Sequence, residues 1–164
     1  MLDDLDFKIL EALIDDGRIK FKHLAKALHT DERKISRRIN KLVKMGIIKK
    51  FTIEIDWKKL GLNMVAYVCT RTTVDEVVRK KLFDFFNEEP RIVHVNSTVG
   101  AYEYVLKAMC IDLQDFRERV ATPLEPLTAG LSTSVVSGSI KSLNYKPLLR
   151  IAYQLRSLNK YSEP

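Results

Sequence analysis

Six cations, Arg33, Lys34, Arg37, Arg38, Lys41 and Lys44, recur between residues 33 and 44 at intervals of three and four, which gathers most of them on one side of an α-helix. Residues 17–50 carry twelve Lys and Arg but only Asp31 and Glu32 as acids, so salt bridges along the helix cannot neutralise that side. Such a face suits an external polyanion, although a solvated or protein-binding face has the same composition. Other chemistry is poorly motivated. His23 and His29 lie six residues apart, and His94 has no nucleophile beside it in the sequence, as general-base catalysis would need. Cys69 and Cys110 sit in apolar runs without the neighbouring Cys or His of a zinc site, which reads them as core packers. The glycines are scattered, and none precedes the Lys and hydroxyl pair of a phosphate loop. The expectation is therefore no catalytic residue, no metal, no cofactor and no enzyme activity.

The elements that would carry the basic face follow from apolar spacing. Leu5, Ile9, Leu10 and Leu13 mark a first helix that stops at Asp15, Asp16 and Gly17. Phe21, Leu24, Ala25 and Leu28 mark a short second helix. Thr30 or Asp31 offers the oxygen that caps a third, whose inward stripe is Ile35, Ile39 and Leu42. Gly46 suits the position after its last turn, and residues 47–55 read as extended chain. Three helices followed by a basic β element predict a winged helix-turn-helix, which sets its third helix into the major groove of double-stranded DNA. In that geometry Arg33, Ser36 and Arg37 face base edges, Arg38, Lys41, Lys49 and Lys50 are placed for phosphates, and Lys34 shares the basic side. RNA is less favoured, because Phe21 and Phe51 read as packing residues and no stacking platform is evident.

Charge and composition agree with this reading. The net charge is +7, with 46% hydrophobic and 30% charged residues, so the whole chain is expected to fold. The first sixteen residues carry six acids against Lys8 alone, unlike a basic leader, and no run approaches the roughly 18 apolar residues of a membrane span. The expected setting is cytoplasmic, reducing and nucleoid-associated, with no membrane partner.

Beyond a hinge at residues 55–61 the pattern changes. Residues 62–70 form an apolar β-branched run, and residues 74–86 follow helical spacing. Residues 91–99 and 102–111 make a hairpin about Gly100 and Ala101. Leu113, Phe116, Val120 and Leu124 mark another helix, and residues 131–140 a fourth strand. Strand, helix, two strands, helix, strand is the ferredoxin-like βαββαβ order, so the fold class expected is α+β. Helices on one face leave the other face of the sheet to a partner, for which a second copy suffices, giving a two-fold homodimer. A hairpin turn at a subunit boundary can also place backbone donors and a carboxylate in one sheltered cleft. In the tail, Pro147, Leu148, Leu149, Ile151, Ala152, Leu155 and Leu158 predict one more amphipathic helix.

Leu5 to Leu10 with Asp16-Gly17-Arg18, Leu24-Ala25, Ile35 through Arg38-Ile39-Asn40-Lys41-Leu42 to Gly46-Ile47-Ile48-Lys49, and Ile55-Asp56 to Lys59-Leu60-Gly61-Leu62 follow one another across about sixty residues. In that order they resemble the leucine-responsive regulator and asparagine-synthase regulator family of prokaryotic transcription factors. Val99-Gly100-Ala101-Tyr102-Glu103-Tyr104-Val105-Leu106 is similar to the turn and third strand of that family's regulatory domain, and residues 133–141 to its last strand. The resemblance implies sequence-specific transcriptional regulation by a dimer that assembles further, to a tetramer or octamer. It implies amino-acid effectors held near Gly100, Ala101, Tyr102, Glu103 and Thr133. Glu103 replaces the family's usual aspartate, residues 87–91 lack its proline-glycine-valine signal, and the tail is longer. A nucleoid-organising protein with little sequence preference, or an effector-independent oligomeric regulator, remains the alternative. The resulting division is 1–54 winged helix-turn-helix, 55–61 linker, 62–143 effector-binding and oligomerisation domain, and 144–164 helical extension.

Overall fold

The computed structural model describes residues 2–140 and 143–159, with side chains as far as residue 155. The expected packing of Leu158, the end of the last-strand resemblance at Lys141, and residues 160–164 of the extension lie outside the described residues. Two compact units result: the described parts of Met1–Glu54 and Lys141–Pro164 form one, and Ile55–Ile140 the other.

In the first unit, α1 (Asp4–Asp15) starts on a reciprocal cap. The Asp6 N–H donates to the Asp3 carboxylate at 3.1 Å, and the Asp3 N–H to the Asp6 carboxylate at 3.0 Å. Then come α2 (Phe21–Ala27) and α3 (Glu32–Lys44), the latter capped by Asp31, which accepts from the Lys34 N–H at 2.7 Å. His29, between them, holds a left-handed φ of 49°, a conformation that costs an L-residue about 1–2 kcal/mol. Ile9, Leu24, Ala25, Ile35, Ile39 and Leu42 meet in a buried core, each large side chain contributing about 1.5–3 kcal/mol. Gly46, at φ 70°, ends α3 with its N–H on Val43 O while Ile47 N–H reaches Leu42 O. One expectation changes here: residues 47–55, expected as a basic β element, join no β-ladder among the described residues. No strand among the described residues pairs with it to accept its backbone hydrogen bonds.

The second unit begins with a 3-10 turn (Trp57–Leu60) and continues as β1 (Met64–Arg71), α4 (Glu76–Glu88), β2 (Ile92–Ser97) and β3 (Tyr104–Cys110). Next is a helical stretch made of α5 (Leu113–Phe116), a π turn (Arg117–Ala121), α6 (Thr122–Leu124) and a 3-10 turn (Glu125–Leu127), and then β4 (Gly130–Val135). The sheet order is β2-β3-β1-β4, antiparallel throughout, which is the ferredoxin-like arrangement the element order predicted. Apolar spacing had suggested one regular helix from Leu113 to Leu124. The helical register instead slips just before Pro123, which has no N–H to donate. The fourth strand is also shorter than expected, ending at Val135, although the Val136 N–H still reaches Val65 O at 2.9 Å.

Alternation along β1 decides what each face does. Met64, Ala66, Val68 and Thr70 point into the core with Leu82, Phe86, Leu106, Phe116, Val120 and Leu124. Val65, Tyr67 and Cys69, paired with Met109, Lys107 and Val105, lie on the opposite face. Cys110 is buried, which pushes its thiol up to about 11. At the edge of this core the Arg91 guanidinium grips Asp115 at 2.7 and 3.1 Å, and Arg119 reaches Glu89 at 3.3 Å.

After β4 the chain returns to the first unit as α7 (Lys146–Asn159). Tyr153 stacks edge-on against Phe7 of α1 at 5.2 Å, its hydroxyl donates to Asp4 at 3.0 Å, and Lys146 pairs with Asp15.

Candidate nucleic-acid interface

Side chains on α3 sort into three directions, set by the 3.6-residue period. Ile35, Ile39 and Leu42 are buried. Arg33, Arg37, Asn40 and Lys44 are exposed on the far side, and with half-buried Ser36 and Lys41 they line one open groove bordered by Phe21 and Met45. Arg33, Arg37 and Lys44 make no ion pair among the described residues. Asp31 and Glu32, at the N-terminal end of the groove, belong to the helix start, where negative charge meets unpaired amides.

The third direction departs from expectation. Arg38 does not point outward: its Nη1 lies 2.6 Å from Asp3 Oδ2 and 3.2 Å from both oxygens of Asp6, with 21% of its side chain exposed. Asp6 is fully buried, and Lys41 stands 3.9 Å from the same carboxylate. Arg38, expected at phosphates, is thus committed to tying α3 to the start of α1. Burial opposes the charge on Asp3, but the Asp6 N–H and the Arg38 guanidinium outweigh it and hold that carboxyl below its ordinary range. Lys34 is half-buried and does not line the groove, while Lys49 and Lys50 are exposed on the segment beyond Gly46.

Four of the expected effector residues, Gly100, Ala101, Tyr102 and Glu103, occupy the hairpin end of the second unit. Gly100 adopts a φ of 153°, which favours glycine. The Thr98 hydroxyl donates to Tyr102 O at 2.6 Å. Glu103 is already engaged within the chain: the Thr72 hydroxyl, at 2.6 Å, and the Thr72 N–H both donate to it and keep its pKa below the usual carboxylate range. Arg71 donates from Nε to Ala101 O at 2.7 Å and lies over the Tyr102 ring. Thr133 is not brought to this turn, because β4 lies on the other side of β1 from β3 and pairs Thr133 with Val68.

Reading the sequence missed three of these side chains. Asp6 stands three, four and seven residues before Ile9, Leu10 and Leu13, so an acid on the apolar stripe was the available signal. Asn40 was hidden among cations. Arg71 ends a strand, and nothing in the local pattern linked it to a turn thirty residues on.

Residues 2–49 match a family model described as winged helix-turn-helix DNA-binding. The transcriptional regulator AzlB of Bacillus subtilis is 31% identical over 145 residues, which span 86% of this chain and 92% of that protein. Among solved structures, LrpC of B. subtilis is similar with a TM-score of 0.77 and 26% identity, covering 87% of this chain and 99% of that one. A regulator from Neisseria meningitidis, NMB0573, solved as a complex with L-Met, gives 0.81 and 22% over 90% and 99%.

Proposed function

Since the chain belongs to the leucine-responsive regulator and asparagine-synthase regulator family, DNA-binding transcriptional regulators, we propose that it binds selected duplex sequences as a homodimer or larger assembly and answers to an amino-acid effector. The carrying observation is the outward face of α3, where Arg33, Arg37 and Lys44 are exposed, make no ion pair among the described residues, and flank Ser36 and Asn40. Unpaired guanidinium groups of this kind can take guanine edges or phosphates. Phosphate attraction draws the protein to any duplex, and the first turns of α3 select among them. With Arg38 tied to α1, the phosphate contacts fall to Lys41, Lys44, Lys49 and Lys50.

The effector reading rests on the Arg71 and Glu103 pair at the hairpin. A carboxylate with spare lone pairs can accept an ammonium, and a guanidinium beside it can take a carboxylate. That NMB0573 was solved with L-Met supports this ligand class. No helix among the described residues is long and apolar enough to cross a membrane, and a cytoplasmic, nucleoid-associated setting suits a duplex partner.

One titration series tests the proposal: affinity for duplexes selected from a randomised library, against random duplex, at one salt concentration. A ratio of about a thousand or more is expected, narrowing about tenfold in Arg37→Ala. A ratio near one would favour nucleoid organisation with little sequence preference. Repeating the series with each of the twenty amino acids should reveal a ligand that shifts affinity in the wild type and not in Glu103→Gln. No shift with any of them would leave the second unit as an assembly device.

A further inference from the structure

Asn40 is out of place by every local criterion. It sits in the third turn of α3, it is exposed, and its amide makes no hydrogen bond among the described residues. Asparagine ranks well below Ala, Lys and Arg in a helix interior, and the usual compensation is absent, since Asn40 neither caps a terminus nor bonds back to the preceding turn. Its immediate company is functional rather than structural. Ser36 and Arg37 lie four and three residues before it and Lys44 four after it, on the same side and along the same groove.

We propose that Asn40 is a base-reading residue that recognises an adenine in the major groove, next to the base pair reached by Arg37. The inference rests on the duplex-binding reading above. A primary amide carries an acceptor and a donor side by side, the complement of adenine N6 and N7, whereas a guanidinium complements the two acceptors of guanine. Spacing agrees. Three residues of α-helix advance about 4.5 Å along the axis, against about 3.4 Å per base step along a strand. Arg37 and Asn40 therefore address neighbouring positions, with Ser36 able to serve either. The cations around Asn40 hold the helix in the groove through charge and leave the neutral amide to discriminate, because an amide without net charge adds almost nothing to attraction for random duplex.

The test uses the full chain and a duplex selected by it from a randomised library, with each adenine replaced in turn by 7-deazaadenine, which lacks the N7 acceptor. Wild-type protein is expected to lose about tenfold in affinity at one adenine per half-site. Asn40→Ala is expected to be indifferent to the replacement at that adenine, to accept other base pairs there, and to bind random duplex within about twofold of wild type. Ala in an exposed helix position favours folding, so the variant should remain intact. Wild type indifferent to every deaza substitution, or Asn40→Ala as sensitive as wild type, would overturn the assignment while leaving duplex binding in place. Failure of wild type to bind even the unmodified duplex would overturn duplex recognition, and the role of Asn40 with it.

Discussion

Arg38 illustrates what a charge pattern can and cannot say. Its spacing places it on the basic side of α3, but its length lets the guanidinium fold toward α1 and meet Asp6, an acid that is fully buried. Removing one member of such a cluster strands the other in a low-dielectric site, and the penalty is about 3 kcal/mol. Arg38→Ala should therefore lower the melting temperature sharply, whereas Arg33→Ala, on the solvent side, should stay within about 0.5 kcal/mol of wild type. Equal melting temperatures for the two variants would return Arg38 to the surface. The pH dependence has a definite sign. Asp3 is held below its ordinary pKa, so its contribution is complete above the unfolded value near about 4 and is lost as pH falls through the lower native value. Acid titration of stability should accordingly be shallower in Arg38→Ala than in wild type. Base-facing candidates Arg33, Ser36 and Arg37 were legible because helical phase alone places them. Arg38 was not, because its partner lies thirty-two residues away in the sequence.

Periodicity located the helices and strands well wherever one face is buried and one is wet, as in α1, α3, β1 and α4. It did worse where a partner matters. Residues 47–55 have the β-branched composition of a strand, yet a strand exists only through its neighbours. The helical stretch from Leu113 to Leu124 buries Phe116, Val120 and Leu124 but leaves Leu113 exposed, and its backbone slips ahead of Pro123. The tail shows the same limit: an apolar stripe announces that α7 is partnered without saying by what. Its partner is the Asp4, Phe7 and Asp15 side of α1, left over once Ile9 faces the core. Tyr153→Ala should cost the first unit about 1 kcal/mol. Hydrogen exchange should then quicken in the amides of α1 and remain unchanged in β1. Equal protection of α1 in both proteins would mean that α7 contributes nothing to that unit.

The face formed by Val65, Tyr67, Cys69, Val105, Lys107 and Met109 lies opposite the core, with Tyr67 43% exposed at its centre. A homodimer closing two such faces together would bury that ring in both copies. Tyr67→Glu should then yield a monomer by light scattering at micromolar concentration where wild type is a dimer, without loss of helical content. A wild-type monomer under those conditions would move assembly elsewhere. The chain's own route through its two units has a different kind of consequence. Because α7 packs on α1 although all of Ile55–Ile140 lies between them in sequence, the second unit is inserted within the chain of the first. A ribosome adding about 5–20 residues per second adds the whole βαββαβ segment before it adds the helix that packs on Phe7. Synthesis of the second unit's chain therefore falls between that of α1 and that of its covering helix, and the first unit can close over Phe7 only after Ile55–Ile140 has been made.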